Sequence, residues 1–234
     1  MFETAISEGV LRVRRPGARW LSTGWDGGRQ AADAAYNVSV PEGFDRTDLD
    51  AYLDERLDRA GFADADPCLL TGVELRHARG ARCGPVAAVA TAGVSNPAAL
   101  PTDPEGASAA LDSDPAVGTV NVVVGTERAL TDGALANLLA VAVEAKTATL
   151  LAETGFPGTT TDAAIAACDP AGEPTRFSGP ATEVGACARA CVREAVAASL
   201  ESRYDGTDAE IPDSVPDAEH GVRTDRRAEV FAPE

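Results

Sequence analysis

The stretch "GTVNVVVGTERALTDGALANLLAVAVEAKTATLLAETG" (Gly118–Gly155) changes periodicity partway along, and that change decides the fold class. Over Gly118–Gly125, Val120, Val122 and Val124 fall on one side of an extended chain, the period-two pattern of a strand. From about Thr131 to Glu153 the apolar residues recur at helical spacing, with Thr131 placed to cap the start and Gly155 to stop the end. Upstream, strand signals dominate. "GVLRVRR" and "RWLSTGW" read as short strands parted by Pro16-Gly17, Asp26–Gly28 as a turn, and "AAYNVSVP" as a further extended segment. Leu49, Tyr52, Leu53, Leu57 and Ala60 mark a helix that Gly61 can end. "PCLLTGVEL" and "PVAAVATAGV" read as strands, and "SNPAALPTDPEGASAALDSDP" as a long loop. Downstream, "TDAAIAAC" is strand-like and Thr182–Leu200 is a second long helix. The pattern predicts an α+β fold of mixed α/β layers, a single domain over 1–202 with helices packed on a β-sheet. Beyond Arg203, prolines and charges without periodicity predict a disordered acidic tail over 203–234.

Composition narrows the function. With 37 acidic against 20 basic residues the net charge is -17, a surface that repels nucleic-acid phosphates and anionic membranes. Lys146 is the only lysine, and the remaining basic residues are arginine. Acidic excess with so little lysine points to a cytoplasm rich in salt, where carboxylates hold water and cations and salt screens their repulsion; the alternative is an acidic protein of a GC-rich genome, whose codons favour Asp, Ala, Gly and Arg. Aromatics make up 5% of the chain, so the core must be built from Ala, Val and Leu. The N-terminus has no apolar core of signal-peptide length, and no run approaches the ~20 apolar residues that span a bilayer. The expected location is the cytoplasm, where the five cysteines would be reduced.

Lys146 sits at the centre of an apolar stripe. At about 100° per residue, Leu135, Leu139, Ala142 and Leu150 all fall within about 40° of it, and Glu144 points to the other side. A buried ammonium must pair with an acid or lose its proton. Paired, it is a structural ion pair; deprotonated, it can act as a base beside a hydroxyl.

Other segments carry weaker signals. "VATAGVSN" runs from a strand into small residues, and Gly93 there could let backbone N–H groups approach a ligand. "PGTTTDAAIAAC" (Pro157–Cys168) sets three hydroxyls ahead of Asp162, either as candidate nucleophiles with a carboxylate to orient one of them or to pair with Lys146, or as a turn that starts a strand. Asn121 offers an amide at a strand start, a candidate oxyanion donor. With only His77 and His220 present, a histidine zinc site is nearly excluded and a Ser-His-Asp triad could use only His77. Cys187 and Cys191 share a helix face, with Cys168 nearby in sequence; buried apolar thiols are favoured there over a metal site. No cofactor or metal requirement is identified.

Taken in order, "LSTGWDGG", "YNVSVP", "LLTGVELRHA", "VATAGVSNPA", the opening stretch, "GTTTDAAIAAC" and "GPATEVGACARACVREAV" resemble the adenosylcobinamide amidohydrolase family of cobalamin salvage. The resemblance covers roughly Ile6–Leu200. It implies hydrolysis of the amide joining the aminopropanol arm to the corrin ring, giving adenosylcobyric acid. Where the family has Thr-Gly-Thr before the Thr-Asp pair, this chain has Pro157 in the first position.

On that reading the expected catalytic residues are Lys146, Glu144, Thr159, Thr161 and Asp162. Substrate contacts are expected from Thr91, Gly93, Ser95, Asn96, Thr119, Asn121 and Gly158. Two chemistries stay open. In one, a hydroxyl of Thr159, Thr160, Thr161 or Ser95 attacks with Lys146 as base or proton carrier. In the other, Asp162 or Glu144 activates water. The loop Ser95–Pro115 is a candidate lid over a large corrin substrate. The expected partner is a small-molecule corrinoid, with no nucleic acid, no membrane and room for homo-oligomerisation. The competing readings are an amide hydrolase with another substrate on the same scaffold, and a corrinoid-binding module without catalysis.

Overall fold

Alternating and valine-rich runs become strands, and the two long periodic stretches become helices. The computed structural model describes residues 2–62, 67–103 and 119–233. In chain order the elements are β1 (Glu3–Ser7), β2 (Val10–Ser22), β3 (Gly28–Ser39), α1 (Leu49–Ala60), β4 (Cys68–Thr71), β5 (Arg79–Cys83) and β6 (Val86–Ala92). After these come β7 (Pro97–Ala99), β8 (Val120–Thr126), β9 (Ala129–Leu130), α2 (Asp132–Thr154), β10 (Gly158–Thr159), β11 (Ala163–Cys168), β12 (Pro174–Thr175), α3 (Glu183–Tyr204) and β13 (Val222–Arg223).

The main sheet has the order β4-β3-β2-β11-β8-β6-β5, with β1 added to β2. It is mixed: β11 runs parallel to β8 and antiparallel to β2. In a flat sheet, β3 and β6, four places apart, would be about 19 Å from each other at the ~4.8 Å strand spacing. Yet Asn37 Nδ2 on β3 donates to Thr91 Oγ1 on β6 at 2.9 Å. The sheet is therefore rolled, bringing its two halves face to face.

Rolling separates three cores. On one outer face Val120, Val122 and Val124 pack with β6 under α2 and α3. The inner face holds Phe2, Leu11, Val13, Trp20, Val123 and Ile165. The other outer face buries Val10, Tyr36 and Val38 of β2 and β3 under Tyr52, Leu53 and Leu57 of α1. All of β8 is buried because it is covered on both sides.

Caps set the helix ends as expected. Thr131 Oγ1 accepts from Ala134 N at the start of α2, and Gly155 closes it in the left-handed conformation. Thr182 caps α3 in the same way, and Gly61 ends α1.

Three expectations are corrected. Pro16-Gly17 does not divide two strands; β2 runs through it with a register shift between Arg14 and Ala18. A bulge accommodates the proline's missing N–H, and Gly17 N donates to Asp33 Oδ1 at 2.7 Å. "PCLLTGVEL" is a strand only to Thr71, whose Oγ1 accepts from Val73 N at 3.1 Å and turns the chain into a short 3-10 helix, Leu75–His77. Finally, Asp132–Thr154 is by length and composition a helix apolar enough to cross a membrane, contrary to the sequence reading. In this fold that apolar character serves two packing surfaces, the sheet and α3.

The expected loop Ser95–Pro115 contains β7, and its part from residue 104 onward lies outside the described residues. Past Tyr204, in the segment set apart as a tail, Val222–Arg223 pairs in parallel with β7. β7 is the middle strand of a small sheet, β10-β7-β13.

Candidate active site

The stripe on α2 turns Lys146 toward the start of β11, and the residue is 6% exposed. Its Nζ makes an ion pair with Asp162 Oδ2. Asp162 lies in the turn between β10 and β11, and the turn is built around its carboxylate. Thr159 N donates to Oδ2 at 3.1 Å, Thr159 Oγ1 to Oδ1 at 2.5 Å, and Val120 N to Oδ1 at 2.9 Å. One carboxylate thus receives an ammonium, a hydroxyl and two backbone amides. That fills the roughly four acceptor positions a carboxylate has. The turn and the acid constellation, alternatives in the sequence, are one structure.

Neighbouring groups close around this centre. Thr119 Oγ1 and Thr161 Oγ1 are 2.7 Å apart. A Cβ at Gly158 would sit 2.8 Å from Asp162 Oδ2 and 3.7 Å from Lys146 Nζ, so glycine is what lets the backbone lie over the ion pair. Thr159 is opposite Pro97 in the β10–β7 pair, and Thr160 N donates to Asn96 O at 3.1 Å. The Ser95-Asn96 turn is therefore beside the Gly158–Asp162 turn.

Other expected residues gather elsewhere. Thr91 and Asn121 belong to a buried network on the inner face. Asn121 Nδ2 donates to Asn37 Oδ1 at 2.9 Å and to Leu70 O at 2.8 Å. Both its amide hydrogens are committed, and Asn121 Oδ1 is buried without a partner among the described residues. Gly93 N donates to Thr119 O at 3.2 Å, just past the end of the β6–β8 pairing. Glu144 is not brought to the site: it is exposed and faces Arg189 of α3 at 3.4 Å. The physical reason is its place on the side of α2 opposite Lys146, which the wheel anticipates.

His77 is held for structure. Arg76 Nε donates to its Nε2 at 3.1 Å, which leaves the remaining proton on Nδ1, 3.1 Å from Ser202 Oγ. An imidazole that donates to a serine cannot take that serine's proton. Burial, with Arg76 and Arg203 nearby, lowers its pKa below the usual 6.5. Cys83 and Cys187 place their sulfurs 2.9 Å apart, and burial pushes the Cys187 and Cys191 thiols up to about 11. Among the described residues no three His, Cys, Asp or Glu side chains gather as a metal site.

Asn37, Thr71 and Leu70 O escaped the sequence reading. They meet Asn121 and Thr91 only because the sheet rolls, and no local pattern reports that. A groove of about 490 Å³ on the inner face, lined by Phe2, Leu11, Val13, Arg79, Val89 and Val123 among others, contains neither Lys146 nor Asp162.

Comparison with known proteins agrees in extent with the fold. The sequence model of the adenosylcobinamide amidohydrolase family matches residues 3–208. A protein named adenosylcobinamide amidohydrolase from Halobacterium salinarum is 58% identical over 235 residues, covering all of both chains. One of the same name from Methanosarcina mazei is 29% identical over 194 residues, 78% of this chain and 90% of that one. Among solved structures, the PH0078 protein of Pyrococcus horikoshii overlaps with a TM-score of 0.44 at 12% identity, covering 85% of this chain and 78% of that one.

Proposed function

The chain belongs to the adenosylcobinamide amidohydrolase family, and from that premise we infer that it hydrolyses the amide joining the aminopropanol arm to the corrin ring of adenosylcobinamide. The products are adenosylcobyric acid and aminopropanol, and the enzyme is a hydrolase of a linear carbon–nitrogen bond in cobinamide salvage. The net charge of -17 and the Halobacterium relative support work in concentrated salt. The packing of one side of α2 against the sheet and α3 accounts for its apolar character without a membrane, in keeping with the cytoplasmic location expected from the sequence.

The mechanism that the geometry supports best uses Thr159 as nucleophile. One observation carries it: Thr159 Oγ1 donates to Asp162 Oδ1 at 2.5 Å while Lys146 holds the other oxygen of the same carboxylate. Asp162 fixes the hydroxyl and accepts its proton as Oγ1 attacks the amide carbon. The C–N bond then breaks, the proton passes to the departing amine, and a Thr159 ester of adenosylcobyric acid remains. Water hydrolyses that ester and restores the hydroxyl. Lys146 keeps Asp162 oriented and stabilises the charge that moves over the pair. Direct activation of water by Asp162 is disfavoured, since its acceptor positions are already filled by protein donors. Glu144, turned to solvent and Arg189, has no part in this reading.

The test is rapid mass spectrometry of the protein during turnover of adenosylcobinamide. A peptide of the Gly158–Asp162 turn carrying the corrinoid acyl group is expected. Turnover with no such adduct, even with a slowed substrate, would count against Thr159.

A further inference from the structure

Thr159 is held from two directions. Asp162 holds its side chain, and β7 holds its backbone, with Gly158 opposite Ala98 and Thr159 opposite Pro97. A three-residue strand paired on one edge alone is marginal. The second edge of β7 is taken by β13, with Val222 opposite Ala98 and Arg223 opposite Ala99. The pairing is extended by Thr224 N, which donates to Ala99 O at 3.0 Å. Arg227 then reaches Asp103 at 2.5 Å, just past β7.

The start of the same loop is held by the end of α3. Val94 N donates to Tyr204 Oη at 2.8 Å. Gly93 lies so close to Arg203 that a Cβ there would be 3.2 Å from Nε. Residues 93–99 therefore face the catalytic turn on one edge and the C-terminal segment on the other. β13 also lies beyond residue 208, where the family match ends.

We propose that the C-terminal segment from Tyr204 to Thr224 is a positioning strap for the catalytic turn. Its backbone pairing with β7 and the Tyr204 hydroxyl fix the Ser95–Ala99 loop, and through β10 that loop fixes Thr159. The strap touches no reacting atom and acts through β7. This rests on Thr159 being the nucleophile. The chemistry needs Oγ1 aimed at the amide carbon, and misplacement of a reacting group by about 1 Å can cost on the order of 100-fold.

The experiment compares full-length Thr224→Pro, which removes the N–H donor, with Thr224→Ala, which keeps it. Two readouts are taken: steady-state kinetics and amide hydrogen exchange of the peptide spanning residues 93–100. Thr224→Pro is expected to exchange faster in that peptide and to lose roughly 10- to 100-fold in kcat with little change in KM. Thr224→Ala is expected to match the unmodified protein in both. Tyr204→Phe, which removes the acceptor for Val94 N, is a second variant expected to move both readouts in the same direction. Unchanged exchange in Thr224→Pro, or faster exchange with full kcat, overturns the strap. Full turnover by Thr159→Ala instead overturns the nucleophile, and the exchange readout still decides whether the strap holds β7.

Discussion

Lys146 on α2 and Asp162 in the β10–β11 turn form an ion pair whose side chains are 8% and 13% exposed. They are sixteen residues apart in sequence, and the turn brings the acid back over the helix. Removing the cation leaves a largely buried carboxylate with only neutral donors. Lys146→Met is therefore expected to lose activity by at least about 100-fold and stability by about 3 kcal/mol. Lys146→Arg should stay folded but remain slow, because a planar five-donor fork replaces a point charge under Gly158. Kinetics together with urea unfolding checks both. Full activity in Lys146→Arg would show that charge alone suffices.

Asp162→Asn exchanges an acceptor for an amide whose NH₂ must face Val120 N–H, a Thr159 donor or Lys146. Loss of roughly 1,000-fold in kcat is expected if the carboxylate both orients and deprotonates Thr159. The double variant with Lys146→Met should be less damaged than the two single losses summed, by about 1–3 kcal/mol in unfolding free energy. Strict additivity would mean that the two groups do not act as a unit.

Gly158→Ala tests the close approach over the pair. A Cβ 2.8 Å from Asp162 Oδ2 forces the turn to shift. A fall of about tenfold or more in kcat is expected, with the thermal midpoint nearly retained because the turn is at the edge of the core. An alanine variant of normal activity would show that the turn has slack there.

Acid sensitivity should come first from His77. Its folded pKa is lowered from 6.5 by burial, so just below pH 6.5 the unfolded chain binds more protons than the folded one. The histidine's contribution is complete above pH 6.5 and is lost as the pH falls through the folded value. Asp169, lowered from 3.8 by its bond to Arg15, adds a loss only at lower pH, below 3.8. Thermal midpoints across this range should fall below pH 6.5 in the unmodified protein. The upper part of that fall should flatten in His77→Gln, and an unchanged curve in that variant would rule His77 out as its source.

Thiol chemistry gives an independent check on the core. Cys187 and Cys191, pushed up to about 11, should resist iodoacetamide at pH 8 until the protein unfolds. Rapid native alkylation of either would mean that the α3–sheet packing is looser than described.

Asn121 tests the inner face. Asn121→Asp sets a carboxylate against two acceptors, Asn37 Oδ1 and Leu70 O, in a position 1% exposed. A loss of about 2–4 kcal/mol in urea unfolding is expected, and wild-type stability would require the neighbouring amides to have turned.

By itself the sequence determined much of what depends on neighbours along the chain. Val120, Val122 and Val124 declare a strand because side chains alternate every residue. Thr131, Gly61 and Gly155 declare helix ends because caps satisfy local backbone groups. Lys146 inside an apolar stripe declares a buried cation, because the helical angle between residues is constant. Only the tertiary structure decided what meets that cation. The helical angle had already turned Glu144 away; the fold brought Asp162 to Lys146, since the β10–β11 turn returns over that side of α2 and leaves the other to Arg189 and solvent. It also joined Asn37, Thr91 and Asn121 by rolling the sheet, and laid Val222–Arg223 against β7. Such contacts depend on where distant segments close on one another, and no local periodicity carries that information.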